Sequence, residues 1–413
     1  MVVLTRQRNA GRLSLCTGKV VETRATQLNG RSISRRRGEN ATLKIACDVI
    51  SRGKDEDLIM GKWKVWFLIA LGVVGSFVVW ALLGRSVWNA TTTPMGSAAS
   101  GSATQDRAMN SVCKCDTSGH KVSFVTVEPG VQLEVLDWGG SGETLVLLTG
   151  VGDNAHVFDE FAYQFTDRFH VIGITRRGFG RSSQPAHGYD LDTRARDDIA
   201  VLDKLNIRDA VVVGHSVAGT ELNKLGAAYR DRVKKLVYLD ALDLGSGGWT
   251  SLPQPPPPPD DTAADLESVQ RFAAASARFD GYRKPLAAIC NMIRTDASGR
   301  VIGAVTPPGI SSKIYAGLKP AEYDRIQAPA LGIFNKITPQ YRLPYYWYLD
   351  PAKQEEFNRN IESLAKWVEG AIQRFRSGVK NARVIELHDT NHYIFIVDEA
   401  LVVRETRKFL LDE

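Results

Sequence analysis

The strongest chemical signal in the sequence is Ser216, a serine at a sharp corner within the stretch VVVGHSVAGTEL. An apolar, β-branched run precedes it and small residues that open a helix follow it, which indicates a strand that turns directly into a helix. Gly214 and Ala218, two residues to either side, carry little or no side chain, as so tight a turn requires. The fifth position of the usual G-x-S-x-G pattern is Ala218, and Gly219 follows one residue later. We predict a nucleophile elbow with Ser216 as the nucleophile; the alternative is an ordinary turn with an incidental serine.

A serine hydroxyl is a poor nucleophile at neutral pH, so acyl transfer needs a base within hydrogen-bond reach. His392 is the candidate base, because it follows the strand-like run ARVIEL and precedes the final helical stretch. The chain order serine, acid, histidine is the one expected with an elbow serine. His388 lies within or at the end of the strand and is the weaker candidate, and a purely structural role for His392 is the remaining alternative.

Short apolar runs and helical stretches alternate along the chain and would position these side chains. The strand-like runs are apolar throughout, which is typical of parallel strands covered on both faces. The alternation favours an α/β fold, a mostly parallel sheet with helices on both sides. The predicted strands are VSFVTV, VQLEVLDW, TLVLLTG, FHVIGIT, DAVVVGH, KKLVYLD, PALGIF and ARVIEL, and the predicted helices are Asp192–Leu205, Val217–Arg230, Glu355–Phe375 and Glu399–Leu411.

One long segment, about 242–326, interrupts this alternation. It contains Pro253 and the run Pro255–Pro259, followed by Ala-rich helical stretches. Because the segment directly follows the carboxyl end of a strand, it would lie over the edge of the sheet where sites in α/β proteins are found. We predict that it forms a cap or lid.

The basic character of the chain belongs to its amino-terminal tail. Residues 1–64 carry 14 Lys and Arg against 6 Asp and Glu, a charge of +8, whereas the chain as a whole has +6. The remainder is therefore slightly acidic and does not indicate nucleic-acid binding. We predict a basic, disordered tail over residues 1–62. Met60 begins a pattern typical of a signal sequence or signal anchor, so a natural start at Met60 is an alternative.

An uncharged run of twenty residues, Val65–Gly84, follows the tail. At 1.5 Å per residue it is long enough to cross the hydrocarbon core of about 30 Å. We predict a transmembrane helix over residues 63–85, with a cleaved signal peptide and secretion as the alternative. Basic residues lie mainly on its amino-terminal side, so the amino terminus is expected in the cytoplasm and the large domain across the membrane.

Residues 86–120 form a predicted flexible linker, rich in Thr, Ser, Ala and Gly before the domain at 121–413 begins. Cys113 and Cys115 lie at its end, and each has the option of a disulfide if the domain is extracytoplasmic. The cysteines have no zinc-ligand spacing, and no phosphate loop or dinucleotide fingerprint is present in the sequence. We therefore expect no metal and no cofactor.

Four motifs occur at corresponding places of a known superfamily: the elbow at Ser216, LLTGVGD over Leu147–Asp153, RRGFGRS over Arg176–Ser182, and NHY over Asn391–Tyr393. With these motifs the domain resembles the α/β-hydrolase fold superfamily, in its serine esterase or lipase form of the α/β-hydrolase-1 type. The resemblance implies a cap inserted after the sixth strand. Thr149 departs from the pattern, since the superfamily usually has histidine there.

The resemblance also implies the acid and the oxyanion hole. In much of the superfamily the acid follows the seventh strand, but Gly332–Leu349 contains no Asp or Glu. Some members place it after the sixth strand, where Asp240 is the first candidate and Asp243 the second. The oxyanion hole would use the main-chain N–H groups of Val217 and Val151.

The function implied is that of a membrane-anchored serine hydrolase that cleaves an ester-like substrate through a Ser-His-Asp acyl-enzyme mechanism. The cap and the tether suit a small-molecule or lipid-like, lipophilic ester. An elbow serine argues against the dehalogenases and epoxide hydrolases of the superfamily, whose nucleophile is a carboxylate. The alternative is a catalytically silent, membrane-anchored binding or scaffold protein, favoured by Thr149 and by the missing acid. The sequence leaves the oligomeric state open.

Overall fold

Eight strands in the described part of the chain form one sheet, which carries the site. The computed structural model describes residues 115–412. The strands of the described residues are β1 (Lys121–Glu128), β2 (Val131–Gly139), β3 (Glu143–Leu148), β4 (Phe169–Ile174), β5 (Ala210–His215), β6 (Val233–Leu239), β7 (Ile293–Thr295), β8 (Val301–Ala304), β9 (Ala330–Lys336) and β10 (Ala382–His388), of which β7 and β8 pair only with each other. The order of the other eight in the sheet is β1-β2-β4-β3-β5-β6-β9-β10. In this sheet β1 and β2 pair antiparallel, as do β2 and β4, and all other pairs are parallel.

Helices cover both faces of this sheet, as predicted. They are α1 (Asp159–Tyr163), α2 (Leu191–Lys204), α3 (Ala218–Ala228), α4 (Val269–Asp280), α5 (Leu286–Cys290), α6 (Ile310–Ala316), α7 (Pro351–Gly378), α8 (Ile394–Val397) and α9 (Glu399–Leu410). Successive residues of β5 point to opposite faces: Val212 packs in one hydrophobic core, and Val211 and Val213 pack in the other. Both faces of β5 are therefore buried, which explains why this strand is apolar throughout.

Most predicted elements agree with the structure to within a residue or two, but the long helix near the carboxyl terminus was predicted too short. α7 begins at Pro351 rather than Glu355 and extends to Gly378 rather than Phe375. Asp350 caps its first turn, because the carboxylate accepts the Lys353 N–H at 3.0 Å. Proline is favoured in this first position, since its missing N–H would have no helical partner there.

The insertion between β6 and β9 contains α4, α5, α6 and the hairpin β7–β8. The hairpin was not predicted. Its turn is held by Asp296, whose carboxylate accepts the N–H groups of Ser298 and Arg300. The insertion has a small hydrophobic core of its own, to which Phe272, Ile289 and other apolar residues of this segment contribute.

The described chain begins at a disulfide. Cys115 is bonded to Cys290 at the end of α5, with Cα atoms 6.2 Å apart, so the start of the domain is tied to the insertion. Cys113 lies outside the described residues, as do the predicted tail, the predicted transmembrane helix and most of the predicted linker. Within residues 115–412, no helix is both long and apolar enough to span a bilayer.

Candidate active site

Ser216 lies at the corner predicted for it, directly after β5 and before α3. Its backbone has a φ of 57°, a conformation that costs energy for any residue other than glycine and that persists only where the surroundings impose it. A side chain at Gly214 would come within 2.5 Å of Leu222, and one at Gly219 within 2.4 Å of the Ala241 carbonyl oxygen. The absence of side chains at these two positions therefore permits the close packing that holds Ser216 in this strained corner.

His392 and Asp240 meet at the same edge of the sheet. Asp240 follows β6, which neighbours β5, and its φ of 45° is also positive. The Nδ1 atom of His392 lies 2.6 Å from the Asp240 Oδ2 atom. The other carboxylate oxygen of Asp240 accepts the N–H of Asn335 at the end of β9, at 2.8 Å. One oxygen is thus held by the sheet while the other is directed at the imidazole.

The Nε2 atom of His392 is buried and has no hydrogen-bond partner among residues 115–412. It is therefore not hydrogen bonded to Ser216 in this structure. Catalytic hydrogen bonds of this kind are often long before substrate binds and tighten only in the complex. An Nδ1 atom bonded to a carboxylate and an unbonded Nε2 atom are the arrangement that a general base requires.

The two weaker candidates are not part of this arrangement. The Asp243 carboxylate accepts main-chain N–H groups, from Gly245 at 2.9 Å and from Ala321 at 3.4 Å, and so organises the loop after β6. His388 is an exposed residue at the end of β10. The structure therefore brings His392 together with Asp240 rather than with Asp243.

The main-chain N–H groups of Val151 and Val217 have no hydrogen-bond partner within the described chain. Val217 directly follows the serine, and Val151 follows Gly150 in the loop after β3. A Cβ atom placed on Gly150 would lie 3.3 Å from the Ser216 Cβ atom, so this loop runs directly beside the serine. Two unbonded donors on both sides of a serine are what an oxyanion hole requires.

Arg176 supports the loop after β3 through hydrogen bonds. At position 149 of this loop the chain has threonine, where the superfamily usually has histidine. The Arg176 guanidinium donates to the carbonyl oxygens of Thr149 at 3.0 Å and Gly150 at 3.1 Å. The same group forms a two-pronged ion pair with the buried Glu221 of α3, at 2.8 and 2.9 Å. Arg176 therefore connects the loop that contains Val151 to α3, the helix that follows Val217.

We expect Arg176→Lys to lower kcat about 10-fold or more while KM changes little, because lysine keeps the charge but cannot bridge two carbonyls and a carboxylate at once. Complete loss of an oxyanion donor lowers kcat by about 10²- to 10³-fold, which sets the upper limit for the loss expected in this variant. The matched control is Arg177→Lys. Arg177 is as deeply buried but pairs with Asp197 and Glu128, away from the loop. Equal kinetic losses in the two variants would contradict this role, and steady-state kinetics on a chromogenic ester measure it.

His215, the residue before the serine, positions the histidine loop. Its Nε2 atom lies 3.2 Å from the main-chain oxygen of His392. Burial and the nearby His392 hold the pKa of His215 well below its ordinary value, so its ring is neutral. A neutral ring that donates from Nε2 fixes the loop without adding a charge at the site.

A buried polar network links the insertion to both loops of the site. Lys284 donates to Asp153 at 3.0 Å, and the Tyr393 hydroxyl donates to the other Asp153 oxygen at 2.8 Å. Burial disfavours the charged form of Lys284, but the charge of Asp153 outweighs this and raises the lysine pKa. Asp153 belongs to the loop after β3 and Tyr393 follows His392, so these two loops are bonded directly to each other, and Lys284 of the insertion donates to both residues. Lys284 lies in no recognisable motif, so this network could not be predicted from the sequence.

The surroundings of the two N–H donors are apolar. Val151 and Val217 pack with Phe179, and α6 of the insertion contributes Ile310 and Ile314 to the same cluster. None of the proposed catalytic side chains belongs to a group of potential metal ligands within the described residues.

The comparisons with known proteins agree with this architecture. Residues 143–287 match the family model of the α/β hydrolase fold. The chain is 37% identical over 121 residues to a non-heme haloperoxidase of Rhodococcus erythropolis, which covers 29% of this chain and 44% of that protein. It is 33% identical over 124 residues to a bifunctional esterase/perhydrolase of Acinetobacter calcoaceticus, which covers 29% of this chain and 45% of that protein. The crystal structure of E-2-(acetamidomethylene)succinate hydrolase superposes with a TM-score of 0.52 at 20% identity, over 70% of this chain and 99% of its own.

The described domain therefore has the α/β-hydrolase fold. The chain spans less than half of the length of the curated relatives that it matches.

Proposed function

We propose that the protein is a serine hydrolase that cleaves an ester-like substrate. The observation that carries this proposal is the 2.6 Å contact between His392 Nδ1 and Asp240 Oδ2, at the sheet edge where Ser216 occupies a strained corner. The similarity to an esterase/perhydrolase adds support, since that protein's name includes ester cleavage. Two contacts favour the hydrolase over the scaffold alternative: Asp240 faces His392, and Arg176 donates to the main chain of the loop that contains Thr149.

In the proposed mechanism Ser216 Oγ attacks the carbonyl carbon while His392 Nε2 accepts the hydroxyl proton. The ionised Asp240 accepts a hydrogen bond from the His392 Nδ1–H group, which fixes the tautomer and stabilises the imidazolium. The N–H groups of Val151 and Val217 bind the oxygen that gains negative charge. The imidazolium then protonates the departing alcohol. Water then attacks the acyl-enzyme while His392 Nε2 accepts its proton, and the imidazolium returns that proton to Ser216 Oγ as the acid is released.

The substrate class favoured is a lipophilic ester. The side chains beside both proposed oxyanion donors pack with Phe179, Ile310 and Ile314, so the apolar surroundings of the serine are shared between the core fold and the insertion.

Covalent labelling of the folded wild-type chain tests the proposed function. The full chain is treated with a fluorophosphonate probe, digested, and analysed by mass spectrometry, with heat-unfolded protein as the control. We expect phosphonylation at Ser216 in the folded protein alone. A folded chain that carries no label and turns over no nitrophenyl ester would establish the scaffold alternative.

We further propose that the hydrolase is anchored by the span within residues 63–85, with its amino terminus in the cytoplasm and the described domain outside. The Cys115–Cys290 disulfide supports this orientation, because disulfides persist in oxidising compartments. The full chain is expected to stay with membranes through an alkaline carbonate wash, and deletion of residues 63–85 is expected to release it. Release of the full chain by the wash would contradict the anchor.

A further inference from the structure

A cluster of two histidines and two aspartates lies at the start of the domain, outside the proposed catalytic residues. Asp116 and His120 precede β1, whereas His156 lies just before α1 and Asp159 is its first residue. One donor atom from each of the four side chains lies within 4.8 Å of every other. The cluster thus joins the first described residues to the segment that follows the oxyanion loop.

The two histidine side chains of this cluster are buried, yet three of their ring nitrogens form no hydrogen bond. The His120 side chain is fully buried, and its two ring nitrogens lie 3.1 Å from Asp116 and 3.1 Å from Asp159. Neither nitrogen forms a hydrogen bond of acceptable geometry, and the same holds for Nδ1 of His156. Buried polar atoms without hydrogen bonds cost free energy, so each calls for an explanation such as an ion.

The contacts that His156 and Asp159 make with neighbouring side chains resemble those that orient the ligands of a metal ion. His156 directs Nδ1 toward Asp116 at 3.9 Å and Asp159 at 3.4 Å, while Nε2 on the far side of its ring faces the buried Glu134 at 3.7 Å. A ligating histidine usually donates its second N–H to a carboxylate, which orients the ring. Asp159 is itself oriented, because the Trp138 indole N–H donates to it at 3.1 Å.

We propose that Asp116, His120, His156 and Asp159 bind a Zn²⁺ ion in a closed, structural site. Zinc takes four nitrogen and oxygen ligands at about 2.0–2.2 Å, which in a tetrahedron places the donor atoms about 3.3–3.6 Å apart. With one donor atom taken from each side chain, the four atoms lie within 4.8 Å of one another, so small side-chain rotations would bring them to this spacing. The ligands are mixed imidazole and carboxylate, a set that suits zinc better than calcium or magnesium.

The site would fasten the start of the domain. Cys115, next to Asp116, is already bonded to Cys290 of the insertion. A metal ion would add a second attachment, from Asp116 and His120 to the first helix after the oxyanion loop. The point where the linker enters would then be held to both the insertion and the core fold.

The alternative to a metal ion in this cluster is a proton on His156. Burial lowers the pKa of His156, but the hydrogen bonds and charges of Asp159 and Glu134 outweigh it and raise the pKa to about 9. Without metal, His156 would carry a charge that stabilises the fold at pH values below about 6.5, the unfolded-state pKa. That contribution would be lost as the pH rises through 9, whether or not a chelator is present.

The test measures metal content and thermal unfolding of the full-length chain, purified in detergent without chelators. We expect close to one zinc per chain, and a fall in the midpoint of unfolding after chelation that ZnCl₂ reverses. Asp116→Asn is the informative variant, because Asp116 is the most exposed of the four ligands and the exchange preserves shape. We expect its zinc affinity to drop at least about 100-fold, since loss of outer partners alone costs about 10- to 100-fold.

Asp137→Asn is the matched control. Asp137 pairs with His170 at 3.0 Å, but both side chains are about one-third exposed and stand apart from the cluster. The control should bind zinc like the wild type. A wild-type chain without zinc, whose unfolding midpoint responds to neither chelator nor ZnCl₂, would overturn the proposal and assign the cluster to a proton; equal zinc binding by Asp116→Asn would overturn the ligand assignment.

Discussion

Ser216→Ala is expected to lower kcat/KM for a short-chain nitrophenyl ester by about 10⁶-fold, the scale of loss when the nucleophile of a triad is removed. The substitution deletes the attacking oxygen and leaves the sheet, the His392–Asp240 contact and both N–H donors in place. Labelling by a fluorophosphonate should vanish with the turnover. The matched control is Ser377→Ala, which removes the hydroxyl of an exposed serine near the end of α7.

A second substitution at the same position separates lost chemistry from lost folding. Ser216→Gly also removes the nucleophile, but glycine adopts a φ of 57° without the steric cost borne by serine or alanine. We expect Ser216→Gly to be as inactive as the alanine variant and to unfold at a temperature no lower than it. Retention of ester turnover by either variant would refute the assignment of Ser216 as the nucleophile.

Asp240→Asn is expected to lower kcat by about 10⁴-fold, with a native-like fold. The Asn335 N–H needs an acceptor, so the amide oxygen of asparagine would take the place of Asp240 Oδ1. The amide NH₂ would then point at His392 Nδ1 and make that nitrogen an acceptor, which moves the ring proton to Nε2. A ring protonated at Nε2 cannot accept the serine proton.

Asp243→Asn is the matched comparison, because it makes the same exchange three residues later. Its carboxylate accepts main-chain N–H groups and does not contact His392, so we expect kcat within a few-fold of the wild type. Steady-state kinetics of the two variants, with thermal unfolding as the check on folding, decide the matter. A large loss in Asp243→Asn together with a small loss in Asp240→Asn would assign the acid to Asp243.

Local sequence was sufficient for the main elements of this fold. The apolar runs predicted the parallel strands, because a strand buried on both faces needs an apolar residue at every position. The elbow could be predicted as well, since Gly214 stands where a side chain would collide with Leu222 and Ala218 carries only a methyl group. The hairpin β7–β8 was missed, because two strands of three and four residues leave too short a pattern.

The choice between Asp240 and Asp243 required the tertiary structure. Both residues follow β6, and the direction of a side chain in such a loop depends on backbone angles that composition does not reveal. Asp240 has a φ of 45° and is held by Asn335 from the neighbouring strand, ninety-five positions later in the chain. In the same way, Thr149 alone suggested a weakened oxyanion loop, whereas Arg176 supports that loop across space.

By itself the sequence determined the position of the turn at Ser216, the order of the strands and helices, and the presence of a histidine after the last strand that could serve the serine. Each of these features depends on residues that are neighbours in the chain. Only the tertiary structure decided which carboxylate faces that histidine and which charged groups brace the loops. It alone brought together the four side chains of the proposed zinc site, since Asp116 and His120 stand some forty positions before their partners and no ligand spacing connects them. The physical reason is that hydrogen bonds and metal coordination act over a few ångströms in space, and separation along the chain does not set those distances.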